Sequence, residues 1–386
     1  MELNQGLTTL LAIALVAALA PLVVGLLPRW HVPQVVVLLL GGVVIGPHAL
    51  GWAVPTTIEP FVNLGLGFLF LLAGYELDFE ALRARPGRLA IVGWGVSVAL
   101  AVAVVGGLAA TGFVRAFAPV ALALTTTALG ILLPFLREND LLDTPLGSQV
   151  VAAGAVGEFF PILAIAVFLG AKGEFVGLVS LLLVALVALL LSLVPRLIRG
   201  RRAETVILDG ENATTQTTLR WTIFLLLLLL VVAARFGLDV VLGAFLAGGV
   251  LKRWAPGDPH ALESKLDAVG YGFFIPIFFV AAGMGLDLPS IARSPGRLVV
   301  FFVLLLVVRG VPALFVYRRA LGVRERVEMT LLTATTLPLL VALSQIGLVN
   351  GTMLPENAAA LVGAGMASVL VFPGVALAVR SRATTP

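Results

Sequence analysis

The 22 residues from Gly6 to Leu27 carry no charge, enough for one helix to cross the ~30 Å hydrocarbon core of a bilayer. Runs of this kind recur to the end of the chain. Lipid offers no hydrogen-bonding solvent, so a spanning segment must pair its backbone within itself or in a closed barrel, and runs of this length select helices. The candidate spans are 6–27, 34–53, 60–78, 89–114, 117–136, 148–170, 175–195, 219–236, 239–252, 267–286, 298–317, 326–347 and 357–379. The expectation is therefore an all-α polytopic membrane protein of about thirteen transmembrane helices, forming a single membrane transport domain over 1–386.

Composition decides a few further points. Hydrophobic residues make up 60% of the chain and charged ones 12%, about half the charged share of a soluble protein. With no cysteine, disulfides and thiolate metal sites are excluded, and His31, His48 and His260 are scattered near run ends. No cofactor is expected, and no His/Ser/Asp constellation points to an enzyme. The start, MELNQG, lacks the basic segment of a cleaved secretory signal, so the first run is read as a span that stays.

Charge placement orients the spans. With the N-terminus outside, 19 of the 25 basic residues fall on the cytoplasmic side, among them Arg83, Arg85, Arg88, Arg137, Arg199, Arg201, Arg202, Arg318, Arg319 and Arg380. Five fall outside (Arg115, Lys172, Arg235, Arg293, Arg297), and Arg309 lies within a span. Positive loops face the cytoplasm, and one missed span would invert the pattern beyond it. The C-terminus is thus expected in the cytoplasm of a bacterial-type inner membrane. The net charge of +4 serves this orientation, and no nucleic-acid partner is read from it.

The chain also repeats itself. FLFLLAGYELDFEALRARPGRL (68–89) and IFFVAAGMGLDLPSIARSPGRL (277–298) share Phe70, Ala73, Gly74, Leu77, Asp78, Pro86, Gly87, Arg88 and Leu89 at an offset of 209, and the same offset carries Thr126 and Thr127 onto Thr335 and Thr336. Seven spans separate equivalent positions. Seven is odd, so the two copies face opposite ways, the inverted-topology arrangement of many secondary transporters, whose sites lie at the bilayer midplane. Repeat one is 6–170 and repeat two 219–379, with a linking helix and polar linker over 175–218. Arg293 and Arg297 stand outside as copies of an inward loop. The sequon at Asn212 falls in the cytoplasmic linker and carries no weight.

Glu158 and Arg309 sit at mid-depth in the spans 148–170 and 298–317. A charge there is costly, and such residues mark ion or proton pathways more often than they serve packing alone. Pro161 has no N–H, which relieves the Gly157 carbonyl of its helical donor, and Pro134 does the same for Gly130 in the span holding Thr126 and Thr127. A carboxylate, a freed carbonyl and threonine hydroxyls are hard oxygens suited to an alkali cation. Thr335, Thr336 and Pro338 are the matching break in the second repeat. The partner segment of Glu158, GAGMASVLVFP (363–373), carries Ala367 instead of an acid, so the fold alone does not require Glu158. Glu76, Asp78 and Asp287 lie at span ends and are read as caps or interfacial charges.

PQVVVLLLGGVVIGP (33–47), LLAGYELD, TTTALGILLPFLREND, the acid of span 6, FFVAAGMGLDL and the basic residue of span 11 together resemble the monovalent cation:proton antiporters of the second large cation:proton antiporter family, which have the sodium/hydrogen exchanger fold. The resemblance covers nearly the whole chain. It implies crossed broken helices, an ion-binding core at roughly 60–170 and 267–379 with the remainder for dimerisation, homodimers, and an elevator-like movement in which cation and proton compete for Glu158. Two departures stand out. Electrogenic members carry two adjacent aspartates in span 6 and a lysine in span 11, whereas Gly157 aligns with the first acid, Glu158 with the second, and Arg309 replaces the lysine. A C-terminal nucleotide-binding regulatory domain is not expected.

The function expected is exchange of protons for Na⁺ or K⁺, one for one. Burial favours neutral Glu158 and the fixed charge of Arg309 favours the carboxylate, so the two influences oppose each other. One titratable acid at mid-depth moves one proton, which makes exchange electroneutral. The alternative is an organic-anion or bile-acid-type sodium symporter of related inverted-repeat fold, with Arg309 binding the anion.

Overall fold

The computed structural model describes residues 2–26, 33–77, 82–168, 174–197, 216–254 and 259–381. Most of the polar linker, with Asn212, lies outside these residues, as do Arg29, His31, Asp78 and Lys172. Among the described residues all regular structure is helical: α1 Glu2–Leu26, α2 Gln34–Ile45, α3 Glu59–Glu76, α4 Arg85–Ala110, α5 Phe117–Ala123, α6 Leu129–Glu138, α7 Pro145–Phe168, α8 Glu174–Leu197, α9 Thr217–Arg235, α10 Val240–Trp254, α11 Pro259–Val269, α12 Ile275–Met284, α13 Leu288–Arg293, α14 Pro295–Leu305, α15 Val311–Val316, α16 Val323–Thr333, α17 Pro338–Val349 and α18 Pro355–Ser381. Short π turns, Gly270–Phe274 and Leu306–Gly310, join α11 to α12 and α14 to α15.

Ten helical stretches among these residues are long and apolar enough to cross a membrane. The other three expected spans are not single long helices. Span 34–53 is the 12-residue α2, 239–252 is the 15-residue α10, and 117–136 is two half-helices, α5 and α6. The reason is local: Gly46-Pro47 stops α2, and the polar Thr125-Thr126-Thr127 run stops α5. Span 326–347 is broken too, between α16 and α17 at residues 334–337.

The offset of 209 holds helix by helix. Adding it to α6 gives a start at Pro338, where α17 begins, and adding it to α4 gives 294–319, the ground covered by α14, a π turn and α15. The break at 124–128 maps onto the break at 334–337. These element boundaries therefore recur at the offset found in the sequence.

The chain divides into two compact units, one comprising Met1–Ala14, Ala53–Leu77 and Ile162–Ala281, the other Leu15–Trp52, Asp78–Pro161 and Ala282–Pro386. In the first, α3 lies against α10 at backbone contact. A Cβ on Gly74 would stand 2.0 Å from the Phe245 carbonyl, and one on Gly248 2.0 Å from that of Leu71; small residues are what permit helices to approach this closely in lipid. Lys252 Nζ donates to the Leu77 carbonyl (2.8 Å) and the Glu76 carbonyl (3.3 Å), placing a cation on the negative end of α3.

In the second unit, Leu132, Leu136, Val150, Val156, Met329 and Tyr317 form one apolar core. Arg297, one of the five basic residues expected outside, is fixed here. Its Nη1 donates to the Phe113 carbonyl (2.9 Å) and to Asn357 Oδ1, and its guanidinium lies 4.5 Å from the Phe113 ring centroid. Asp287 caps α13, accepting from the Ser290 N–H at 2.9 Å and the Ser290 hydroxyl at 2.5 Å.

Candidate functional site

Every residue of the site belongs to the second unit. The broken segments cross one another, and their backbones join where neither helix can pair its own: Ala128 N donates to the Thr335 carbonyl at 2.9 Å. Thr126, Thr127, Thr335 and Thr336 are all at most 1% exposed. Thr126 Oγ1 and Thr336 Oγ1 share a hydrogen bond of 2.6 Å, and Thr127 Oγ1 donates to the Thr333 carbonyl at 2.7 Å. Threonine thus does at the crossing what regular backbone pairing does elsewhere, keeping buried polar groups satisfied.

Helix α7 passes beside this crossing. Pro161 leaves the Gly157 carbonyl without its helical donor, and Thr127 N takes that place at 3.2 Å. The carbonyl that the sequence offers to a cation is here a link between α7 and the break. One residue on, Glu158 is half-buried and its Oε1 accepts from Leu129 N at 2.9 Å. Leu129 opens α6, so the carboxylate stands at the positive end of a half-helix.

Arg309 comes from the π turn Leu306–Gly310, whose extra residue re-aims the helix, and π turns of this kind recur at functional sites. Gly310 lets the turn lie on α16, since a Cβ there would be 2.6 Å from the Thr330 carbonyl. The guanidinium is 3% exposed; Nε donates to Thr127 Oγ1 (2.7 Å) and Nη2 to the Ala153 carbonyl (2.8 Å). Through Thr127, Arg309 and Gly157 are therefore held in one network with Glu158 adjacent in sequence.

The structure brings together Glu158, Gly157, Thr126, Thr127, Thr335, Thr336 and Arg309. Pro161 and Pro338 are buried nearby in the same helices, whereas Gly130 and Pro134 are exposed, with open space around Gly130. Sequence reading did not single out Leu129, Ala153 and Thr333, which act through backbone atoms that no residue type announces. It also passed over Ser368, whose hydroxyl accepts from Thr336 N at 3.2 Å and lies 3.0 Å from the Thr336 carbonyl, so that α18 supports the second break from the site's far side. Glu328, 2% exposed, was missed as well. It pairs with Arg324 (3.5 Å) and Arg380 (3.2 Å), and its signal was the i, i+4 spacing from Arg324.

A family model described as the transmembrane part of sodium/hydrogen exchangers matches residues 12–378. The chain belongs to that family. Among its exchanger relatives, a putative Na⁺/H⁺ antiporter of Bacillus subtilis, YjbQ, is 26% identical over 89% of this chain and 58% of its own length. A probable Na⁺/H⁺ antiporter of Methanocaldococcus jannaschii is 27% identical over 68% of each chain, and cation/H⁺ antiporter 18 of Arabidopsis thaliana is 29% identical over 75% of this chain and 38% of its own length. The chain thus spans little more than half of the first relative and less of the plant one. The solved structure of the sodium proton antiporter MjNhaP1 from Methanocaldococcus jannaschii at pH 8 aligns with all of this chain and 97% of its own, at a TM-score of 0.63 and 17% identity. The sodium/hydrogen exchanger fold is shared, and the family match does not favour the anion symporter.

Proposed function

We propose that this protein is a secondary antiporter exchanging protons for a monovalent alkali cation, Na⁺ or K⁺, one for one at Glu158. The placement of Glu158 carries this reading: a half-buried acid at the mouth of a broken helix, with its Oε1 fixed by the Leu129 amide. In the protonated state the acid is neutral and crosses the membrane without a cation. In the ionised state its charge, backed by the hydroxyls and carbonyls of the crossing, accepts the cation, and a bound cation excludes the proton. Competition for one carboxylate couples the two flows without any further device.

Arg309 keeps its charge in both states. Its two hydrogen bonds anchor the guanidinium to the Thr127 hydroxyl and the Ala153 carbonyl, so it sets a constant positive potential beside the acid and moves no proton. Gly157, at the aligned place of the first acid of electrogenic relatives, has no side chain to titrate. Both points support an electroneutral cycle.

The core expected over 60–170 and 267–379 contains the crossing, and the proposal assigns to it the elevator-like movement, with the remainder forming a homodimer. The N-terminus is assigned to the outside and the C-terminus to the cytoplasm of a bacterial-type inner membrane. Proteoliposomes loaded with a pH dye and challenged in turn with Na⁺, K⁺, Li⁺ and choline test the reading. Alkali cations are expected to drive proton flux that an imposed voltage leaves unchanged, and choline to drive none; flux that follows the voltage contradicts the one-for-one exchange.

A further inference from the structure

The second unit contains a cavity of about 160 Å³ that shares no lining residue with the crossing. Its polar lining is Asp287, Ser344 and Gln345, set among small apolar residues such as Ala358 and Val362. Ser344 is 2% exposed, and among the described residues its hydroxyl has no hydrogen-bond partner. A helical serine or threonine in lipid ordinarily bonds back to its own helix, as Thr330 does to the Arg326 carbonyl (2.8 Å) and Thr333 to that of Met329 (2.7 Å); Ser344 does not. Nor does the fold demand polarity here, because at the offset of 209 the first repeat carries Phe135 and Leu136 where the second carries Ser344 and Gln345.

Size and chemistry narrow the occupant. At about 30 Å³ per water the cavity holds roughly five waters, well below the ~300 Å³ of a small-molecule pocket. A carboxylate, a hydroxyl and an amide oxygen are hard donors, and a single carboxylate matches a single positive charge better than a divalent ion, which recruits several. Asp287 Oδ1 and Oδ2 already accept from Ser290, and Arg293 Nη2 lies on the same Ser290 hydroxyl at 3.2 Å, so its field on a cation is tempered.

We propose that this cavity is a second, low-affinity alkali-cation site, which holds Na⁺ or K⁺ with part of its water shell between Asp287, Ser344 and Gln345, on the side that the charge pattern assigns to the outside. The identity of the ion rests on the antiport reading; the geometry of the site does not depend on Glu158. The test is ²³Na NMR relaxation of the protein in phosphatidylcholine nanodiscs, in the Glu158→Gln background so that the crossing contributes least. That variant is expected to relax ²³Na more than empty nanodiscs do. Adding Ser344→Ala is expected to cut the excess at least threefold, as is Asp287→Asn, which retains the ability to cap α13. An excess that is absent, or that survives both substitutions, leaves the cavity merely hydrated and overturns the proposal. Proton flux of the wild-type protein is read in parallel. Flux without Ser344-dependent relaxation removes the second site and leaves the antiport reading standing, whereas relaxation without flux does the reverse.

Discussion

Thr127 and Arg309 together fill the space that any side chain at position 157 would need: a Cβ on Gly157 would stand 2.7 Å from Thr127 Cβ, 2.8 Å from Thr127 Oγ1 and 2.8 Å from Arg309 Nη2. The glycine at 157 is thus matched to the Arg309–Thr127 pair, whose hydrogen bond of 2.7 Å lies against it.

Gly157→Ala is accordingly expected to lower stability by roughly 1–3 kcal/mol, the range for forcing extra volume into a packed site, and to slow exchange. Combined with Arg309→Ala its cost should fall below the sum of the single effects, since the guanidinium is one of the two groups in that space, while the close approach of Thr127 remains. Thermal unfolding of the four proteins in detergent checks this, and strict additivity would separate the two residues.

The bond between Thr126 and Thr336 makes a second cycle. Thr126 Oγ1 also donates to the Ala123 carbonyl at 2.8 Å, so Thr336 is the donor of the shared bond. Thr126→Val, which leaves the buried Thr336 hydroxyl without this acceptor, is expected to cost roughly 1–3 kcal/mol, and Thr336→Val, which leaves Thr126 bonded to Ala123, less. The double variant removes both hydroxyls and should cost less than the two singles together. The unfolding midpoints of these variants give the coupling.

Asp287 supplies a pH dependence outside the spans. The Ser290 hydroxyl, and then the Ser290 backbone N–H, hold its carboxyl below the usual carboxylate range, against the opposing effect of burial and with lesser help from Arg293 and His48. A depressed value in the folded state contributes stability above the unfolded value near 3.8, and that contribution is lost as pH falls through the folded one. Asp287→Ala should therefore weaken the cap at neutral pH, by roughly 0.5–2 kcal/mol for an N-cap, and its deficit should shrink below pH 4. A deficit that stays constant down to pH 3 would place its origin elsewhere.

Glu328 and Arg380 differ in burial, at 3% and 42% side-chain exposure, and so should differ in cost. Glu328→Ala leaves Arg324 and Arg380 facing each other without their shared carboxylate and is expected to destabilise by roughly 1–3 kcal/mol. Arg380→Ala removes a partner that water can replace, for at most about 1 kcal/mol. Chemical denaturation of both variants orders them.

The helical layout and the position of both breaks were legible because each has a cause along the chain: apolar length, Gly and Pro stops, and a repeat whose offset carries Leu129 onto Pro338. Pairings across the crossing were not. The repeat equates Thr126 with Thr335, yet Thr126 bonds Thr336 and the Thr335 carbonyl serves Ala128. The crossing segments pair residues one to three positions away from their equivalents, and that slip depends on the crossing geometry. That the Gly157 carbonyl freed by Pro161 also accepts from Thr127 N was hidden for the same reason, since the partner comes from another segment. Three of the thirteen expected spans are short or broken helices, because Gly46-Pro47 and the threonine run stop helices within apolar sequence.

The central claim is that one carboxylate, Glu158, carries both the proton and the cation. Proteoliposomes containing Glu158→Gln, compared with wild-type protein at matched incorporation, test it most directly by Na⁺- or K⁺-driven dye fluorescence. The account predicts that cation-driven proton flux falls to the level of protein-free liposomes while the variant remains folded in detergent. Flux in Glu158→Gln equal to that of wild type would contradict it.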